Sequence, residues 1–240
     1  MKGKLRAWFA FSIIATIAQP AIHLIWAQSI PAEGNAQPGK ANSLRIAIWV
    51  YNYPPVPNRT LAEAEKEVER IFATAGISAE WIQCPVSAAE VQANPACQER
   101  MSATELGLTI LPQFKASKNY NTDTQFGSAQ VFTNGQFGHY AYVYYDQVEN
   151  PAYRGMASVG QILAEVAAHE LGHLLLRSVA HGTSGLMRAR LDWDDLRQVA
   201  MGQLLFSPKE AERIRAEVRA RIEASTRTRG NALPNPQSSR

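Results

Sequence analysis

The chain has 240 residues, 46% of them hydrophobic and 19% charged. That is enough apolar material for one medium domain with a packed core, and it excludes wholesale disorder. The formal charge of +3 is local: Lys2, Lys4 and Arg6 account for it, and beyond residue 27 there remain 21 basic against 21 acidic side chains. So balanced a chain lacks the electrostatic footprint of a nucleic-acid binder.

The first 27 residues read as an export signal, with a short basic start, an apolar run and Ala27 as a cleavage point. The rival reading is an uncleaved anchor, because residues 7–27 are nearly long enough to span a bilayer. Membrane association is expected only in that case; otherwise the protein is secreted or periplasmic. Residues 28–43, rich in Pro, Gly, Asn and Ser, read as a flexible linker, and residues 225–240 as a disordered tail. The folded domain is expected over 44–224.

Within it, residues 44–51 are dense in branched and aromatic side chains and predict a buried strand, ended by prolines 54, 55 and 57. Thr60 with Glu63 forms a candidate capping box for a helix whose apolar stripe is Ala64, Val68, Ile71, Phe72 and Ala75, stopped at Gly76. Residues 77–82 predict a second strand leading into a loop bounded by Cys84 and Cys97. In an exported protein these two cysteines are expected to pair, and the flanking Pro85 and Pro95 favour a loop over buried thiols. Residues 106–111 predict a third strand, 115–138 have no strong period, and 139–148 give a strand that could lie at a sheet edge. Helices are predicted over 158–177 and 207–222. The alternation of strands and helices implies an α/β layer with its sheet on one side of the long helix.

The chemistry concentrates in His169-Glu170-Leu171-Gly172-His173. Ser158 and Gln161 announce this helix as a capping box, and residues four apart share a helix face, so Ile162, Val166, His169 and His173 lie on one stripe. Two imidazoles a turn apart can each give a nitrogen to one zinc ion. Glu170 lies about 100° around the helix, beside the metal rather than on it, where it suits a base acting on water. The flanking residues are apolar, so the helix is expected to be buried, and polar groups there need partners. A catalytic zinc takes three protein ligands and keeps one position open. The third candidate is His181, Asp192, Asp194, Asp195, Glu210 or, less naturally, His139 at the head of a strand.

The segment Ser184-Gly185-Leu186-Met187 resembles the methionine turn of the metzincin peptidases, which pair an HExxHxxGxxH zinc motif with a methionine beneath the metal. The resemblance implies His169, His173 and His181 as ligands of one catalytic Zn2+, Glu170 as the base and Met187 as the turn residue. It also implies a mixed, twisted sheet of about four to five strands backed by an N-terminal helix and the active-site helix, with a C-terminal helix. HELGHLLLRSVAHGTSGLMRA is similar, too, to a zinc segment found in a group of secreted bacterial proteins. That likeness extends more loosely over Trp81–Cys84, Cys97 and the segment around Phe206. The metzincin pattern is not met throughout. Leu176 stands where the glycine is expected, Val179 where the third histidine is expected, and His181 is two residues late with no glycine between His173 and itself to ease a left-handed turn.

The expected activity is hydrolysis of a peptide or protein substrate. The alternative is an exported binding protein that keeps a closed, four-ligand zinc only for structure. Arg188 and Arg190 read as solvated arginines or as groups facing substrate.

Overall fold

The computed structural model describes residues 43–54, 56–93, 95–113, 126–150 and 155–232. The leader at 1–27 and the linker up to residue 42 lie outside the described residues, as does the tail from 233. Among the described residues no helix is long and apolar enough to cross a membrane.

Five strands form one sheet in the order β2-β1-β3-β5-β4: β1 is Arg45–Asn52, β2 Ser78–Cys84, β3 Glu105–Leu111, β4 Gly127–Ala129 and β5 Tyr140–Tyr144. β1 pairs in parallel with β2 and β3, β3 pairs in parallel with β5, and β4 runs antiparallel to β5 at the edge. The mixed α/β class expected from sequence is the one observed. Parallel strands need crossovers, and α1 (Asn58–Thr74) supplies the one between β1 and β2. Ile46, Ile48 and Val50 of β1 alternate onto one face with Leu106, Leu108 and Ile110 of β3 and Val143 of β5, and all join a single core. α1 brings Ala64, Val68, Ile71, Phe72 and Ala75 to that core, as its stripe predicts.

The centre of the molecule is α4, Val159–Leu176. It packs on α1, on the sheet through β3, β4 and β5, and on α6 (Pro208–Ala232), so nearly every side chain from Ile162 to Leu176 is buried. A helix that is apolar all round must be enclosed in this way. Its start matches expectation: the Ser158 hydroxyl accepts from the Gln161 N–H while Gln161 returns a bond to the Ser158 N–H.

The structure differs from the sequence reading in several places. α1 starts two residues before Thr60, after Pro57, and Glu63 is not used in a cap. Its carboxylate instead accepts from the Ser158 hydroxyl at 2.7 Å, tying α1 to the head of α4. The strand expected through residue 148 stops at Tyr144 and gives way to the short helix α3, Tyr145–Val148; two further short helices are α2, Ala88–Ala93, after β2, and α5, Trp193–Ala200, after α4. β5 is an inner strand rather than an edge, because β4 covers it. α6 continues to Ala232, past the residue where a tail was expected to begin.

Cys84 at the end of β2 forms a disulfide with Cys97 in the short 3-10 segment Pro95–Gln98, the pairing expected from sequence. Closing a loop of 13 residues contributes about 3 kcal/mol in the chain-entropy picture. It pins the β2 edge of the sheet, far along the strand order from α4's contacts with β4.

Candidate metal centre

α4 carries His169 and His173 one turn apart, and both rings are fixed by backbone carbonyls. His169 Nδ1 donates to the Leu186 carbonyl at 2.8 Å, and His173 Nδ1 donates to the Ser178 carbonyl at 2.7 Å. A carbonyl oxygen only accepts, so in each neutral imidazole the proton sits on Nδ1 and Nε2 presents a lone pair. Burial is the main cause holding His169 neutral, reinforced by the nearby His173 and His181 and only partly opposed by the Leu186 bond; together they push its pKa down to about 4. Burial also lowers that of His173. The two Nε2 atoms then face each other at 3.0 Å with no proton to share. Two lone pairs at that distance call for a cation.

His181 completes the set. Its ring centroid lies 5.3 Å from that of His169 and 4.9 Å from that of His173. One nitrogen from each of the three histidines falls within 4.8 Å of the others, and among the described residues they are the one such group. The other third-ligand candidates are committed elsewhere. Asp192 caps α5 and, like Asp195, binds Arg188; Asp194 pairs with Arg197; Glu210 caps the start of α6. The His139 ring bonds the Glu105 carbonyl on β3.

The path from α4 to His181 is the feature the motif spacing left open. α4 ends at Leu176, and Arg177 takes the left-handed conformation at φ 50°. It is the one non-glycine residue with positive φ among the described residues, a conformation costing about 1–2 kcal/mol for a residue with a Cβ. Arg177 therefore performs the turn that a glycine would perform cheaply, and it does so one residue after the expected glycine position. Contacts hold it there: its guanidinium lies 3.9 Å from Glu217 and 5.7 Å from the centre of the Phe137 ring.

Beyond His181 the chain closes a tight loop. The Gly182 N–H donates to the Met187 carbonyl, and Gly185 at φ 74° lets the Leu186 N–H reach the Leu205 carbonyl. The same loop sets the Leu186 carbonyl on His169. Met187 is buried under α4; a Cβ added at Gly172 would stand 2.8 Å from its Sδ and 2.8 Å from the Phe206 ring. Gly172 is thus the small residue that lets the loop approach the histidine helix.

Glu170 points from α4 to the edge strand. A Cβ at Gly127 would meet the Glu170 Cγ at 2.6 Å and its Oε1 at 2.7 Å, so the carboxyl fills the space a side chain on β4 would need. Burial pushes its pKa up to about 8. The three histidines, Glu170 and the segment 126–129 line a cavity of about 380 Å³. One of its other walls, Glu165, was not foreseen; Arg188 of the loop after Met187, read from the sequence as solvated or facing substrate, also lines it, with its guanidinium held by Asp192 and Asp195. Arg190 also lines it.

The donor set suits zinc. Zinc takes neutral imidazole nitrogens at 2.0–2.1 Å, which places pairs of ligand nitrogens a little over 3 Å apart. Nδ1 bonds to carbonyls are the usual outer support of such ligands.

No family model matches the chain, and no curated protein does. Solved structures that match include archaemetzincin from Methanopyrus kandleri, 13% identical with a TM-score of 0.47, over 74% of this chain and 98% of that one.

Proposed function

We propose that the chain is an exported zinc-dependent peptidase, with His169, His173 and His181 as the metal ligands and Glu170 as the general base. The observation that carries this reading is the pair of unprotonated Nε2 atoms facing each other at 3.0 Å inside a cavity that also holds the Glu170 carboxyl group. A zinc ion held there supplies Lewis-acid chemistry, acidifying water and polarising a carbonyl. Burial makes Glu170 a strong base in its ionised form, in which it takes the proton from the attacking water and returns it to the leaving amine. The helix fixes Glu170 beside His169, and Gly127 gives its carboxyl room. The edge strand β4, which lines the cavity and pairs with β5 on its other side, suits the backbone of an extended peptide. Among the described residues no fourth donor joins the three histidines, which favours an open catalytic site over the closed structural zinc of a binding protein. Export is supported by the leader-like start and the disulfide.

Digestion of a broad peptide library tests the activity. Cleavage is expected with the zinc-loaded protein and lost on chelation; stoichiometric zinc without a single cut peptide would favour the binding protein. The Gly127→Ala variant gives a second check. Its methyl group would stand 2.6 Å from both the Glu170 Cγ and the Tyr142 carbonyl of β5, so the Glu170 side chain and the edge strand must both shift, and kcat is expected to fall about 10²-fold, the effect of misplacing a reacting group by roughly 1 Å. Zinc content should not change, and unaltered kcat would show that the close approach is unimportant.

A further inference from the structure

We infer that Glu165 anchors a cation-binding subsite in this cavity, so that the enzyme selects substrates carrying a lysine or arginine side chain beside the cleaved bond. The substrate part of this inference rests on the peptidase reading; the cation site itself does not.

Glu165 lies on α4 one turn before His169, is 2% exposed, and lines the same cavity as the three histidines. Neither of its carboxyl oxygens has a hydrogen-bond partner. A buried polar group without a partner is costly, and a carboxyl is among the costliest. The nearby cations do not answer it. From α1, Arg70 spends its Nε and one terminal nitrogen on Glu67, at 2.8 and 2.6 Å. Beyond α4, Arg188 is divided between Asp192 and Asp195, at 2.8 and 2.6 Å. The charges acting on Glu165 are those of Glu67 and Asp195 against that of Arg70, while Arg188 and Arg190 line the same cavity.

Val166, Leu186, Ala189 and Leu191 give this cavity an apolar part of its lining. That combination fits a long aliphatic arm with a charged end. The arm of a lysine or arginine buries its methylenes against these walls while its head reaches the carboxyl. A charge-assisted bond at a dry site then forms where none existed. In the empty cavity burial, with Glu67 and Asp195 outweighing Arg70, raises the Glu165 pKa to about 8, so near neutrality the carboxyl holds a proton. Seating a cation against it drives that proton into solvent. Binding is therefore expected to release close to one proton at pH 7.

The test uses n-butylguanidinium as the probe, titrated calorimetrically into the purified protein at pH 7 in two buffers of different ionisation heat. Valeramide is the neutral control. The wild type is expected to bind the cation with proton release and to bind the amide at least ten-fold more weakly. Glu165→Gln should lose about 10- to 100-fold of the cation affinity and all of the proton release. Glu165→Asp, which retains the charge on a shorter arm, should keep part of both and guards against loss of fold in the first variant. With the zinc-loaded protein, peptides differing only by Arg, Lys, Gln or Leu beside the cut should show a preference for the basic residues that collapses towards unity in Glu165→Gln. Equal binding of the cation by wild type and Glu165→Gln, or no binding by either, would overturn the subsite. Cation binding with proton release but no cleavage of any peptide would keep the subsite and remove the peptidase.

Discussion

Replacing Glu170 by glutamine is expected to lower peptide hydrolysis by about 10²- to 10⁴-fold, the range for losing a positioned general base, while zinc content stays at that of the wild type. The two side chains are nearly the same size, so the packing of Glu170 against Gly127 survives. None of the metal-facing nitrogens belongs to residue 170, so the histidine set survives as well. What is lost is the basic oxygen that accepts a proton from water. The variant therefore separates the metal from the chemistry. A rate within a few-fold of the wild type, measured by single-turnover cleavage of the best library peptide, would take Glu170 out of the mechanism.

The second large effect is on stability. Glu165→Met is expected to make the protein about 1–3 kcal/mol more stable at pH 8, the cost typical of a buried polar group left without a hydrogen-bond partner. The sign follows from linkage. In the folded chain the Glu165 pKa is raised to about 8 from the ordinary 4.5. Between those values the folded state holds a proton that the unfolded chain has given up, so stability falls as pH rises through that window. The contribution is complete below about pH 4.5 and gone above about pH 8. Glu170 titrates in a similar range, but it is present in both proteins, so their difference isolates Glu165. Chemical denaturation at pH 5 and pH 8 measures it: the variant should show the shallower decline. A variant that is less stable than the wild type at pH 8, or has the same pH slope, would contradict the reading. A group that lowers stability where the protein works needs a reason elsewhere, and the cation subsite supplies one.

The most legible part of the molecule is the part with the strongest local rules. Ser158 and Gln161 announce the start of α4, its apolar run announces burial, and the four-residue spacing of His169 and His173 puts both on one face. β1 and β3 read as strands because their alternating branched residues meet one core. β4 was illegible for the opposite reason: Gly127, Ser128 and Ala129 have no apolar alternation, and the strand exists because β5 pairs with it. Gly127 carried no signal of its closeness to Glu170, which arises only when the edge strand and α4 are brought together. Thr60 and Glu63 satisfied a local capping rule, yet Pro57 begins α1 earlier and Glu63 is drawn to Ser158 on another helix. Here a tertiary contact displaces a local one.

His181 shows where motif spacing and geometry part. Its late position and the lack of a glycine made the turn out of α4 look expensive, and the structure makes that turn with Arg177 held left-handed by Glu217 and Phe137. Two residues of extra chain then bring His181 back to the other two rings. Glu165 did have a signal in the sequence: between Gln161 and His169 it is the sole charged side chain in an apolar run. The Asp192 and Asp195 pair that caps α5 was legible as well, but these residues were weighed as ligands instead.

Zinc content, determined by native mass spectrometry after incubation with excess zinc and removal of what is loosely held, bears most directly on the facing imidazoles. One ion per chain is predicted for the wild type, with occupancy greatly reduced in His173→Ala and His181→Ala. A wild-type chain that emerges folded and metal-free would contradict the account.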